Sequence, residues 1–206
     1  MRALLIKDLL ILSKQFKLMS LIFIFFIVVS FMTEMGMVMI VMALIYSALQ
    51  VSTTFSFEEM SHWNKFVNTL PIERKTIVQS KFILGILLTI VTLIILSPIV
   101  YFSSELIHLL SFKDLFSGFI LILSTSLIYL SVTIPIYIKF GMQTGKFVIF
   151  AIVFIPVFST GFVQYFIREI GLNQLMQYLN LLPIASLVVL VISYFVSVRW
   201  YEKKQY

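Results

Sequence analysis

The sequence predicts an all-α, polytopic membrane protein with six transmembrane helices and both termini in the cytoplasm. Three observations carry this. Of 206 residues, 61% are hydrophobic and only 12% charged, with a mean hydropathy of +1.08. A soluble domain has about 45–50% apolar and about 25% charged residues, and a disordered chain is polar and highly charged. An ordinary soluble enzyme, a disordered protein and a DNA-binding domain are therefore excluded. Second, residues 18–33, 35–57, 82–104, 115–138, 147–167 and 181–198 contain no Asp, Glu, Lys or Arg, and most approach the roughly 20 residues that a bilayer requires. Third, the connections between these stretches alternate in charge. One side collects Arg2, Lys7, Lys14, Lys17, Lys65, Arg74, Lys75, Lys81, Lys139, Lys146, Arg199, Lys203 and Lys204, while the other has only Lys113 and Arg168. The positive-inside rule places the rich side in the cytoplasm, so the net charge of +6 is a bias across a membrane and not a nucleic-acid surface. A cell (inner or plasma) membrane, probed by a multi-pass chain, is the expected location.

Residues 1–17 precede the first span. Leu5, Leu9, Leu12 and Phe16 recur at helical spacing opposite Lys7 and Lys14, which predicts an interfacial helix; the alternative is a first span that begins early. The first stretch is short: 16 residues at about 1.5 Å each reach only about 24 Å, so Lys14 and Lys17 must snorkel. It ends at Phe31-Met32-Thr33-Glu34 with no small-x-small cleavage pattern, so it reads as a retained span and not a signal peptide. Met32, Met35, Met39 and Met42 form a stripe across the first hairpin, read as packing rather than as a copper site because no Cys or His accompanies them.

Residues 58–81 form a cytoplasmic loop. Met60, Trp63, Val67 and Leu70 recur at i, i+3, i+7 and i+10, predicting one amphipathic helix that Pro71 breaks, with Pro71 placed to open the next helix at its first position. Trp63, Trp200 and Tyr201 on the inside and Tyr101 and Tyr165 on the outside fit interfacial belts. Pro98, Pro135 and Pro156 lie within spans, where neighbouring groups can re-satisfy the backbone. Residues 105–114 and 168–180 are outer connections; around the second, Val163, Phe166, Ile167 and Ile170 fit a segment that lies in the interface or dips back into the membrane.

No span contains Asp, Glu, Lys, Arg or His, and both histidines, His62 and His108, fall in loops. Ion-coupled carriers usually keep such groups at membrane depth, although some sodium carriers use backbone and hydroxyls alone. The absence points to a passive pore, a scaffold, or a transporter powered from another polypeptide. Catalytic readings fail one by one. Cys is absent, which removes thiolate nucleophiles, disulfides and zinc ribbons. Gly141-Met142-Gln143-Thr144-Gly145-Lys146-Phe147 is one residue short of a phosphate loop and has Phe in place of Ser or Thr, so it reads as a cytoplasmic turn. Glu58-Glu59 with Trp63 resembles the paired glutamates of an intramembrane protease family, but that motif needs Arg at Trp63 and carboxylates within the membrane. There is no H-E-x-x-H and no G-x-S-x-G.

Three stretches resemble the ABC-2 type transporter permeases, in the small six-helix branch that includes exporters of amphipathic and antimicrobial peptides such as phenol-soluble modulins. They are Leu5-Ile6-Lys7-Asp8-Leu9; Trp63-Asn64-Lys65-Phe66 with Thr69-Leu70-Pro71-Ile72-Glu73-Arg74-Lys75 and Ser80-Lys81-Phe82; and Ile134-Pro135 with Lys139-Phe140-Gly141. The resemblance implies a bacterial transmembrane subunit that pairs with a second permease, identical or not, and with two copies of a separate ABC ATPase that binds ATP and Mg. This chain itself then needs no cofactor, metal or nucleic acid. The resemblance also makes residues 58–81 the loop that docks on the ATPase, with Glu58, Glu59, Trp63, Lys65, Pro71, Arg74 and Lys75 as contact residues, and it places re-entrant helices at 158–183. An aromatic-anchored amphipathic helix of mixed charge independently suits a helix-in-groove contact, or a helix that touches only lipid. The uncharged spans point to a hydrophobic or amphipathic cargo moved by export. Two alternatives stand beside this reading: a membrane scaffold or sensor subunit without a transport path, and an ion-coupled secondary transporter.

Overall fold

A computed structural model describes residues 1–32, 36–102, 112–158 and 172–203, and every regular element among them is an α-helix. In chain order these are α1 (Arg2–Lys14), α2 (Phe16–Met32), α3 (Gly36–Met60), α4 (Trp63–Val67), α5 (Arg74–Phe102), α6 (Phe112–Phe158) and α7 (Leu172–Lys203). Arg74–Ile95 in α5, Phe116–Ala151 in α6 and Leu181–Lys203 in α7 are each long and apolar enough to cross a membrane; α1 and α2, which meet at 68°, pass the same test as a bent pair. Their outward faces carry Leu21, Ile24 and Phe25 on α2, Ile94 and Ile95 on α5, and Ile192 and Phe195 on α7, all exposed. Water would penalise such a surface, and hydrocarbon does not.

Between the helices, Leu4, Val51, Val78, Leu130, Ile134 and Val198 form one buried cluster that joins α1, α3, α5, α6 and α7. Ala43 and Leu44 of α3 form a second, against Phe23, Phe26 and Ile27 of α2. Span hydroxyls turn back on their own helices: Ser47 donates to Leu44 O, Thr54 to Val51 O, Ser131 to Leu127 O. Such back-bonding satisfies a polar side chain where water is absent. Ser193 instead crosses from α7 to donate to Ser131 O at 2.5 Å.

α6 is two helices joined at Gly141, whose φ of 76° and ψ of 178° are not helical. A side chain is strained there, and glycine is not. The chain turns back sharply at this point: a Cβ on Gly145 would lie 2.8 Å from Tyr137 Cδ1, whereas eight residues of straight helix separate groups by about 12 Å. The glycines that imitate a phosphate loop thus serve a helical hairpin, Gly141 by its backbone and Gly145 by close approach.

Three expectations need correction. The stripe Leu5, Leu9, Leu12 and Phe16 does not lie on one helix: α1 ends at Lys14 and Phe16 opens α2, and the buried face of α1 is Leu4, Asp8 and Leu12. The face turned inward is the one with the carboxylate, because a buried lysine of α5 pairs with it. Second, Met60 to Leu70 is not one helix. His62 adopts a left-handed conformation (φ 52°, ψ 27°) between α3 and the five-residue α4, so Met60 ends α3 and is 77% exposed. Third, Pro71 does not open α5, which begins at Arg74. The segment 158–183 lies partly outside the described residues; its last part, from Leu172, belongs to one helix that runs through Pro183 to Lys203. The first hairpin turn (33–35), the outer connection 103–111 and the stretch 159–171 lie outside the described residues, as do the side chains of the methionine stripe.

Candidate functional site

At the end of the bundle where α3 stops and α5 starts, four charged side chains meet. Lys81 Nζ lies 3.0 and 2.9 Å from Asp8 Oδ1 and Oδ2, 2.7 Å from Glu58 Oε1 and 3.2 Å from Thr54 Oγ1. Lys7 Nζ donates to the same Glu58 oxygen and sits 3.1 Å from Asp8 Oδ1. Two cations and two anions balance, and three of the four side chains are no more than 5% exposed. A neutral cluster with bonded partners is the form in which buried charges are tolerated. Aromatic faces complete it: Lys7 stands 4.6 Å from the centre of the Trp63 ring and Lys81 5.1 Å from that of Phe55, distances at which a ring attracts a cation.

Helix geometry explains the convergence. Leu4, Asp8 and Leu12 are one turn apart on α1 and share a face. Thr54 and Glu58 stand in the same i, i+4 relation at the end of α3. Lys81 is on the buried side of α5 with Ile77 and Val78. Sequence reasoning counted Lys81 among the cytoplasmic cations and placed Asp8 and Lys81 in the stretches that carry the resemblance, but named neither of them, nor Thr54, as a site residue. The available signal was a lone acid in the middle of a basic helix, together with one acid and one base directly abutting two charge-free stretches.

The residues expected to contact a partner separate into two groups. Glu58 is buried in the cluster and Trp63 is half-buried under Lys7, packed on Phe66 at 5.3 Å between ring centres. Glu59, Lys65, Pro71, Arg74 and Lys75 are exposed. Of these, Glu59 accepts the backbone N–H of Met142 at 2.6 Å, so its carboxylate caps the helix that restarts after Gly141, where an anion suits the positive helix end. Arg74 donates to Glu202 O near the end of α7 at 2.5 Å. Lys139 lies 4.5 Å from the Trp200 ring and joins α6 to α7 at the same level.

A cavity of about 230 Å³ opens beside the cluster, walled by Phe55, Glu59, His62, Lys65, Tyr137 and Met142 among others. Among the described residues no group of three or more His, Asp or Glu is placed to hold a metal. Both carboxylates of the cluster accept ammonium groups from other helices, so the arrangement binds helices to one another.

The comparisons with known proteins agree in class. The model of a family described as ABC-2 family transporter protein matches residues 3–202, which takes in all of the described helices but the first residue of α1 and the last of α7. No curated protein and no solved structure matches the chain. The match and the lipid-compatible helices make this chain a multi-pass membrane permease subunit of an ABC transporter, a transport component and not an enzyme. By a family match that spans nearly its whole length, the chain belongs to the ABC-2 family of transporter proteins.

Proposed function

We propose that the chain is the permease of an ATP-driven exporter in a bacterial plasma membrane. It crosses the bilayer six times, over the stretches 18–33, 35–57, 82–104, 115–138, 147–167 and 181–198, with both ends in the cytoplasm. The sharp turn at Gly141 supports a separation of the fourth and fifth crossings. Two permeases, identical or different, form the cargo path between them, and two separate ATPase subunits bind ATP and Mg and drive it. The cargo is hydrophobic or amphipathic, such as a peptide, in keeping with spans that lack Asp, Glu, Lys, Arg and His.

The observation that carries the proposal is the form of residues 58–81 within a family-matched chain. Glu59, Lys65, Pro71, Arg74 and Lys75 present an exposed surface of mixed charge, anchored by Trp63, of the kind that a soluble partner's groove accepts. Glu58 contributes from beneath by holding Lys7 and Lys81. The test is co-purification with an ABC ATPase co-expressed from a neighbouring gene, followed by ATPase assays of the complex with cargo candidates. Capture of the ATPase and stimulation by amphipathic peptides are expected. Stimulation by small sugars but not by such peptides refutes the cargo assignment, and failure to capture any ATPase refutes the docking role.

A further inference from the structure

A pocket of about 290 Å³ lies where α1 meets α2, α3 ends and α6 restarts after Gly141. Gln15 lines it from the joint of α1 and α2, Ser52, Thr53, Ser56 and Met60 from α3, and Met142 and Lys146 from the second half of α6. Helix spacing brings these side chains together. Ser52, Ser56 and Met60 stand at successive turns of α3, and Met142 and Lys146 one turn apart on α6. Lys146 is the lysine of the stretch that imitates a phosphate loop, and it directly precedes the charge-free residues 147–167, which puts it at the level of lipid headgroups. The pocket does not work as a phosphate loop does, because the Met142 N–H that opens the restarted helix already donates to Glu59.

The lining offers hydrogen-bond donors and no acid. Among the described residues, no hydrogen bond, ion pair or ring contact engages the Lys146 ammonium, the Gln15 side-chain amide or the Ser56 hydroxyl. Ser56 stands apart on its helix in this respect, since Ser47, Ser52, Thr53 and Thr54 all donate to carbonyls three residues back. No Asp or Glu lines the pocket, so a cation finds no counter-charge there. From these features we infer that the pocket binds one phosphate group, its charge met by Lys146 and its remaining oxygens by the Gln15 amide and the Ser56 hydroxyl. Donors carried on three separate elements suit a tetrahedral group, which presents oxygens in several directions, better than a planar carboxylate. A lysine ammonium serves such a group as a point charge. The same chemistry is offered by the headgroup of a phospholipid in the adjoining leaflet and by a soluble phosphate ion.

The test is isothermal titration of the full chain, in dodecyl maltoside and phosphate-free buffer, with inorganic phosphate, acetate, dihexanoylphosphatidylglycerol and dihexanoylglycerol. One charge-assisted and two neutral hydrogen bonds support a dissociation constant of about 1 mM or tighter for a phosphate probe. Lys146 is exposed, so its substitution leaves the packing intact. Lys146→Gln should weaken binding roughly ten- to a hundredfold and Ser56→Ala roughly two- to tenfold, while Lys146→Arg should retain it within about threefold. Lys203→Gln, at the end of α7 and outside the pocket, should leave it unchanged. Tighter binding of the phospholipid assigns a headgroup as the occupant, and inorganic phosphate bound at least as tightly assigns a soluble ion. No binding of either up to about 10 mM, ten times the expected constant, overturns the inference. So does binding that Lys146→Gln leaves intact, acetate bound as tightly as phosphate, or dihexanoylglycerol bound as tightly as its phosphate-bearing counterpart. The readout requires neither ATP nor an ATPase, so its outcome is independent of the export reading.

Discussion

Lys81→Met tests the ionic cluster at its centre. Lys81 Nζ contacts Asp8 at 2.9 and 3.0 Å, Glu58 at 2.7 Å and Thr54 at 3.2 Å. Methionine nearly preserves the length and volume of the side chain but removes the charge, leaving Asp8 and Glu58, 1% and 5% exposed, to share Lys7, which is 23% exposed. Removing one member of a buried ion pair costs about 3–5 kcal/mol. For a protein of this size each kcal/mol lowers the melting temperature by about 2–4 °C, so a drop of about 6–20 °C is expected on thermal unfolding in detergent at neutral pH. The comparison that isolates electrostatics is Lys81→Met with Asp8→Leu, which removes one charge of each sign, keeps Lys7 with Glu58, and extends the apolar face of Leu4 and Leu12. Exchanging a buried pair for well-packed apolar groups is often neutral or stabilising, so the double variant should recover at least half of the loss. A double-mutant cycle should return a coupling of about 2 kcal/mol or more. A loss under about 1 kcal/mol in the single variant, or additive losses in the double one, would show that the cluster does not hold these helices together.

Three further outcomes follow from the same end of the molecule. Gly141→Ala places a side chain at φ 76° and should cost about 1–3 kcal/mol, seen as a lower melting temperature; unchanged stability would mean that the turn between the halves of α6 does not depend on glycine. Glu59→Gln keeps an acceptor for the Met142 N–H but loses its charge, so a loss of about 0.5–1.5 kcal/mol is expected, and a variant as stable as the parent refutes the cap. Arg74→Glu with Lys75→Glu should shift the melting temperature by only a few degrees, since exposed charge contacts contribute about 0–1 kcal/mol, yet lower recovery of a co-expressed ATPase roughly tenfold or more; undiminished recovery removes both residues from the docking surface.

The class of fold was legible because a bilayer imposes a coarse requirement, about 20 apolar residues per crossing, and composition alone reports it. The short-range geometry was less so. Leu5, Leu9, Leu12 and Phe16 form the better amphipathic stripe by residue type, but α1 buries Leu4, Asp8 and Leu12. Periodicity ranks faces by hydrophobicity, whereas burial here follows a partner 73 residues away in sequence. The helix expected across Met60 to Leu70 failed for a related reason: the left-handed His62 that breaks it has no glycine or proline to announce it. Of the residues expected at a partner surface, Glu58 and Trp63 looked equivalent to Lys65 and Arg74, because a single sequence does not reveal which charges find a buried mate.

The positions of the mates give residues 58–81 a mechanical meaning that the docking residues alone do not have. Glu58 and Lys81 fasten α3 and α5 to α1 through Asp8 and Lys7. Glu59 grips α6 at the residue after its turn, and Arg74 holds the end of α7 at Glu202 O. One segment therefore grips five helices at one end of the bundle, and each grip is a polar or ionic contact, where geometry is restricted and displacement is transmitted. The spans beyond these contacts carry only hydroxyls and amides as polar groups, most of the described Ser and Thr hydroxyls bonded along their own helices. Apolar faces can slide past one another at small cost, because dispersion contacts are individually weak and non-directional. Stiff ionic coupling at this end, and greasy interfaces along the rest, would let a displacement applied at residues 61–73 by the proposed partner move whole helices.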